Sequence, residues 1–287
     1  MKHLQYLSIK TLHNVFKRFN LNFLLFFSYP IGFIYSLVSI RNTMRLFRRA
    51  KSLNKNLGMK YNPILVKINY VKYWLETLWL TKKNFKTKLL DNVIILNANY
   101  IKNIKKQGAI FALPHLGNWE MAIPVGKSIN LDLIAVAEPL NNEKVLNWFK
   151  KLREELGCEI IIGGKGQNTF DTIVKKLENK KHVCLLSERS INRSGVGTEF
   201  FGKVASFPKG PVALALKTQL PIVPTTFIKI NGTYTLIFEK PFFVPLFENE
   251  SQSIQQGLKT LSKAFEKLIS LDPNQWHSIQ PVWSNEY

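Results

Sequence analysis

The sequence predicts an α/β protein with a central, mostly parallel sheet flanked by helices, preceded by a basic helical N-terminal extension that associates with membrane. Two observations carry this reading. Beyond about residue 93, short apolar runs alternate with longer stretches of helical periodicity, the pattern of strands covered on both faces by helices. Ahead of them, the chain has no acidic residue before Glu76 but 13 Lys and Arg in its first 75 positions, and these flank an uncharged apolar run.

The strand runs are 93–96, 109–113, 131–137, 159–162, 183–187, 222–230 and 234–239. Helical stretches fall near 97–107, 118–128, 141–156, 167–180, 209–219 and 251–271. The last two strand runs meet across Asn231-Gly232, a turn pair that predicts an antiparallel hairpin at one sheet edge. The simplest partition is a membrane-associated region over 1–80 and a catalytic domain over 81–287. Apolar residues at 46% and charged residues at 21% exclude wholesale disorder. Cys158 and Cys184 are too few for a disulfide framework or a metal cluster and read as small buried hydrophobes.

The chain carries 40 Lys and Arg against 19 Asp and Glu, a net charge of +21. Its uncharged run covers 21–40, between Lys17-Arg18 and Arg41, Arg45, Arg48 and Arg49. Twenty residues are nominally enough to span a bilayer, but Asn22, Ser28, Pro30, Gly32 and Ser36 interrupt the run and charge lies on both sides. A segment lying on or dipping into the membrane is favoured, its basic flanks held by anionic head groups. A single spanning helix and a buried core helix are the alternatives. A secretory signal peptide fits poorly, since no small-residue cleavage site follows. Nucleic acid, the other usual partner of a basic chain, is disfavoured by the absence of zinc-finger spacing, an RNP pattern or a clear helix-turn-helix. The aromatic stretch 70–79 suits helix packing and a membrane interface alike.

Of five histidines, only His115 directly follows an apolar strand, where open α/β sheets bind ligands. It begins a His-x4-Glu pattern ending at Glu120. Five residues along one helix diverge by about 140°, so the pair converges only if Gly117-Asn118 forms a turn. A histidine beside a carboxylate can take a proton from a hydroxyl; a loop histidine satisfied by its neighbours is the plainer alternative. Other strand ends carry Glu138 and the pair Glu188-Arg189, while Arg153 and Gly157 close a helix and 195–202 forms a loop containing Glu199. Each alone reads as a surface ion pair or a turn. Gly163-Gly164-Lys165-Gly166 lacks the spacing of a phosphate loop and reads as a turn into the helix from Gln167. Lys203, Lys209 and Arg193 read as solvated charges.

Taken together, 70–76, 115–120, Glu138, 153–157, Glu188-Arg189, 195–202, 207–211 and 221–224 resemble the bacterial lysophospholipid acyltransferase-like enzymes that acylate membrane glycolipids. The resemblance covers residues 29–283. That family has two well-known branches, the late acyltransferases of lipid A biosynthesis and the phosphatidylinositol mannoside acyltransferases. Glu138 in Ala-Glu-Pro-Leu and the tail 275–283 (QWHSIQPVW) look like the second, and an Arg-Arg-Phe-Lys-like tail typical of the first is absent. Glu188 departs from the Asp usual before Arg, which lengthens that side chain.

The resemblance implies a glycerolipid-acyltransferase-like fold. It also implies acyl transfer from acyl-CoA or acyl carrier protein to a hydroxyl of a membrane glycolipid, with phosphatidylinositol mannoside favoured and lipid A the alternative. No cofactor, metal or nucleic acid is implied. His115 would be the general base, Glu138 its charge-stabilising partner, and Glu120 would orient the loop or share that role. Asn118, Arg153, Glu188, Arg189 and Glu199 would face the substrates, with Asn118, Arg153 or backbone N–H groups at the following helix holding the oxyanion. Trp119, Trp148, Phe200 and Phe201 would line an acyl groove. Transfer would be direct, at the cytoplasmic face of the inner membrane, with peripheral or single-anchor attachment. A non-catalytic binding protein for anionic membrane or nucleic acid is the alternative from another class.

Overall fold

The computed structural model describes residues 2–80, 85–164, 168–190, 195–283 and 286. The 165–167 part of the glycine-rich turn and Arg193 lie outside the described residues. Six helices come first: α1 (Lys2–Phe16), α2 (Leu21–Phe26), α3 (Ser28–Val38), α4 (Ile40–Leu57), α5 (Pro63–Trp79) and α6 (Phe85–Leu90). The order then runs β1 (Ile94–Leu96), β2 (Ala109–Leu113), α7 (Trp119–Ser128), β3 (Leu133–Ala137), α8 (Glu143–Leu156), β4 (Cys158–Ile162), α9 (Thr169–Glu178) and β5 (His182–Leu186). It closes with β6 (Val196–Phe200), β7 (Lys203–Phe207), α10 (Gly210–Thr218), β8 (Ile222–Ile230), β9 (Thr233–Phe238) and α11 (Glu250–Leu271).

Seven strands form one sheet in the order β1-β9-β8-β2-β5-β3-β4, parallel at every pairing except β8 with β9. The α/β architecture with a mostly parallel sheet is therefore observed. β2 is buried along its whole length, as a central strand covered on both faces must be. The β8–β9 hairpin forms across Asn231-Gly232, but it is not the edge, because β1 adds in parallel outside β9. Two further expectations are corrected. Residues 97–107 form two 3-10 turns, Ala98–Ile101 and Ile104–Lys106, since Asn97, Asn99 and Asn103 are poor helix formers and Asn97 takes a left-handed backbone. The 195–202 loop is instead strand β6, paired antiparallel with β7 and packed against α11.

The N-terminal helices start and stop where local chemistry dictates. Asn62 caps α5 through its side chain with Pro63 in the first turn, and Gly58 ends α4 in a left-handed conformation. Helix α3 docks on α5 along Ser28, Gly32 and Ser36, which are buried. A Cβ on Gly32 would lie 2.7 Å from the Ile68 Cα, so only glycine permits this approach. Residues Leu21–Val38 are long and apolar enough to cross a bilayer, and only 22% of them are buried. A buried core helix is thus excluded for this stretch; Phe26, Ile34, Leu37 and Val38 face outward.

Arg49 overturns its sequence reading as a basic flank on the membrane. It is 2% exposed, and its guanidinium bonds both carboxylate oxygens of Glu286 (2.8 and 2.7 Å) and the carbonyls of Ser278 and Gln280. The rings of Trp276 and Trp283 lie 4.8 and 5.4 Å from its Cζ. Helix α4 and the chain's last segment are thereby joined. Removing one partner of a buried ion pair leaves the other charge uncompensated, so Arg49→Ala is expected to cost about 3–5 kcal/mol in urea unfolding.

Candidate active site

Strand pairing decides which strand ends meet. β2 and β5 are neighbours in register, Leu113 opposite Leu186, and the Ser187 N–H donates to the Leu113 carbonyl at 2.9 Å. Two residues further along each strand, His115 Nδ1 meets both oxygens of Glu188 at 2.7 and 2.8 Å. Glu188 is fully buried, whereas the His115 side chain is 24% exposed and lines a cleft of about 520 Å³. Burial alone would raise the Glu188 carboxyl; the facing imidazole, its hydrogen bond and Arg189 outweigh it and hold the pKa below the ordinary value. A carboxylate on Nδ1 fixes the tautomer with its proton there and leaves Nε2 as the basic nitrogen.

This corrects the expected pairing of His115 with Glu138. Glu138 follows β3, and β5 intervenes between β3 and β2, so it stands one strand too far away. It is exposed and lines the same cleft as His115. Glu120 does not face His115 either. Fully buried in the first turn of α7, it takes Arg153 Nη2 at 2.7 Å and Nε at 2.9 Å, with the Tyr73 hydroxyl at 3.5 Å. Burial opposes charge on Arg153, but Glu120 more than compensates and raises its pKa.

Asn118 is drawn away from the substrate role. Its Oδ1 caps α7 by accepting from the N–H groups of Glu120 and Met121, and its Nδ2 donates to Glu76 at 2.8 Å. Glu76 also accepts from the Tyr234 hydroxyl at 2.7 Å; burial raises its carboxyl pKa against both bonds. Arg153 and Arg189 line the cleft, and Arg189 Nε is buried without a hydrogen-bond partner among the described residues. Glu199 is elsewhere: exposed on β6, it pairs with Lys263 at 3.1 Å. The expected acyl groove is also redrawn. Phe200 and Phe201 belong to the core around Trp276, and Trp148 packs on His13 and Phe149. The cleft wall is instead Leu140, Leu146, Phe149, Leu185 and Leu186. Arg153, Val136, Leu185 and Leu186 are shared with an inner cavity of about 80 Å³, which Trp119, Leu133, Ala135, Cys158 and Cys184 also line.

The His115 loop is clamped from two sides. The Asn118 N–H donates to the Phe227 carbonyl, and the Gly117 N–H donates to the Gln275 carbonyl. Gly117 has φ +66°, and a Cβ there would lie 2.0 Å from the Phe227 carbonyl oxygen. From the same tail as Gln275, opposite β8, the His277 N–H donates to the His115 carbonyl at 3.1 Å and His277 Nε2 donates to the Gly117 carbonyl at 2.8 Å. His277 lies among Tyr70, Tyr73 and Trp119. Burial, together with the nearby His115, lowers its pKa to about 3. No local sequence signal assigns a role to Tyr73, Glu76, Tyr234 or His277, although 70–76 and the 275–283 tail carry part of the family resemblance.

The chain is similar to known proteins. The bacterial lipid A biosynthesis acyltransferase family matches residues 67–285. A phosphatidylinositol mannoside acyltransferase of Mycobacterium tuberculosis (strain CDC 1551 / Oshkosh) is 31% identical over 223 residues, covering 75% of this chain and 68% of that one. The protein of the same name from Mycolicibacterium smegmatis is 28% identical over 219 residues, covering 75% and 70%.

Two outcomes follow from the clamp. Gly117→Ala is expected to reduce catalytic turnover at least about 100-fold, the scale of a misplaced catalytic group, while circular dichroism shows the sheet retained. His277 stays neutral when folded but binds a proton when unfolded below its ordinary value near 6.5. Stability should therefore fall as pH drops from about 6.5 towards 3, by up to about 1.4 kcal/mol per pH unit from this group. His277→Gln should flatten that slope in urea titrations at stepped pH.

Proposed function

Because the chain belongs to the bacterial lipid A biosynthesis acyltransferase family, we propose that this acyltransferase moves a fatty acyl chain from an acyl thioester to a hydroxyl of phosphatidylinositol mannoside. The observation that carries the reading is the His115–Glu188 pair at the mouth of a cleft with apolar walls. Nε2 of His115 removes the acceptor proton as the hydroxyl oxygen attacks the thioester carbonyl. Glu188 stabilises the imidazolium that results. The tetrahedral intermediate collapses by breaking the C–S bond, and the imidazolium returns its proton to the departing thiolate. No acyl-enzyme forms.

Arg189, whose buried Nε has no hydrogen-bond partner among the described residues, supplies positive charge where oxyanion and phosphate charges gather, while the charge of Arg153 is taken up by Glu120. Glu138 sits at the cleft rim, placed to accept hydrogen bonds from acceptor hydroxyls. The acyl chain runs along Leu185 and Leu186 towards the inner cavity. The outward apolar face of α2 and α3 and the basic N-terminal region favour attachment to the cytoplasmic face of the inner membrane, where acyl-CoA and acyl carrier protein are both at hand. The curated relatives' names favour the mannoside acceptor over lipid A.

Purified protein with palmitoyl-CoA and a phosphatidylinositol mannoside-containing lipid extract tests this. Free CoA and acylated lipid should appear together. His115→Ala should abolish both, and Glu188→Gln should lower kcat by about 100-fold or more. Acylated lipid A in mass spectra, with no acylated mannoside, would overturn the acceptor; undiminished transfer by His115→Ala would overturn the mechanism.

A further inference from the structure

Helix α4 presents three stripes. Thr43, Leu46, Ala50 and Leu53 are buried against the body. Ile40, Met44 and Phe47, spaced one helical turn apart, are exposed large hydrophobics, as are Ile34, Leu37 and Val38 of α3. Beside them run Arg41, Arg45 and Arg48, also one turn apart. At the end of this basic stripe lies a small cavity of about 40 Å³ lined by Arg45, Arg48, Arg49, Lys203 and Glu286. A single water needs roughly 10–15 Å³ on that measure, so the oxygens of a phosphate fit.

The charges there are unequal. Arg49 already consumes the Glu286 carboxylate. Arg45 is held by the carbonyls of Glu286 and Ile279 and the amide of Asn42, which orient its guanidinium without neutralising it. Lys203 stands over the Trp283 ring at 5.7 Å. We infer that Arg45, Arg48 and Lys203 form a binding site for the phosphate of an anionic phospholipid head group, at the level where the Ile40–Met44–Phe47 stripe enters the acyl layer. A phosphate meets fixed donors on one side and an apolar face on the other, the division that a head group and its chains present. The inference rests on the membrane reading above and adds to it which residues offer the lipid uncompensated charge: Arg45, Arg48 and Lys203 do, whereas the charge of Arg49 is spent on Glu286.

The test is co-sedimentation of the full chain with vesicles of phosphatidylcholine alone or mixed with phosphatidylglycerol. Arg48→Gln with Lys203→Gln should weaken binding to the anionic vesicles about twenty-five-fold, at about fivefold per basic residue, and leave binding to neutral vesicles unchanged. Arg48→Lys with Lys203→Arg should restore it. Lys175→Gln with Lys217→Gln, the same charge change on α9 and α10, should cost less than about threefold. Equal losses in the two Gln pairs would overturn the site while leaving membrane attachment standing. Failure of the unaltered chain to bind either vesicle would overturn both. If the Arg48/Lys203 pair of substitutions instead raises KM for palmitoyl-CoA with detergent-dispersed acceptor and spares vesicle binding, the cup serves the donor's phosphates and the lipid assignment fails.

Discussion

The hydrogen-bonded pairing of β2 with β5 is the constraint on which the site depends. It lays two strand ends side by side, so that a histidine two residues past one strand and a glutamate two residues past the other meet within 2.8 Å. A buried carboxylate is tolerable only when something offsets its lost hydration. Here the imidazole and Arg189 do so, and the pKa of Glu188 falls despite burial. The same interaction that makes the core acceptable thus fixes the tautomer of the group facing the cleft.

That arrangement requires a rigid loop, and backbone bonds to its neighbours hold it alongside the side chains of His115 and Asn118. Residues 114–118 bond β8 on one side and the last segment on the other. The last segment is itself pinned to α4 through Arg49 and Glu286, with tryptophan rings against the guanidinium. Tyr73 and Glu76 of α5 reach the beginning of α7 through Glu120 and Asn118. The N-terminal helices are therefore part of the site's framework: α5, on which α3 docks, supplies polar contacts to the element that follows His115.

Much of the fold was legible in the chain. The runs at 109–113 and 222–230 coincide with β2 and β8, and the helical stretches near 118–128, 141–156 and 251–271 fall within a few residues of α7, α8 and α11. Their signals are local: alternation of apolar runs with amphipathic periods, asparagine caps and glycine ends. The missed elements had contradictory local signals. Residues 195–202, with three glycines, read as a loop, yet β6 forms because β7 pairs with it and α11 covers it. Asparagine-rich 97–107 had the length of a helix without the propensity.

The sequence by itself determined the α/β class, the position of His115 at a strand's end, the basic and apolar character of the first 75 residues, and the family. Those properties live in composition and short spacings, which a linear chain carries whole. The tertiary structure alone decided that Glu188 and not Glu138 meets the imidazole, that Arg49 is buried against Glu286 while Arg48 stays exposed, and that Glu199 has no part in the cleft. Each of these depends on which strands are neighbours or which helix face is covered. Parallel strands joined by crossovers pair out of chain order, so 73 residues of separation between His115 and Glu188 hold no local trace of their contact.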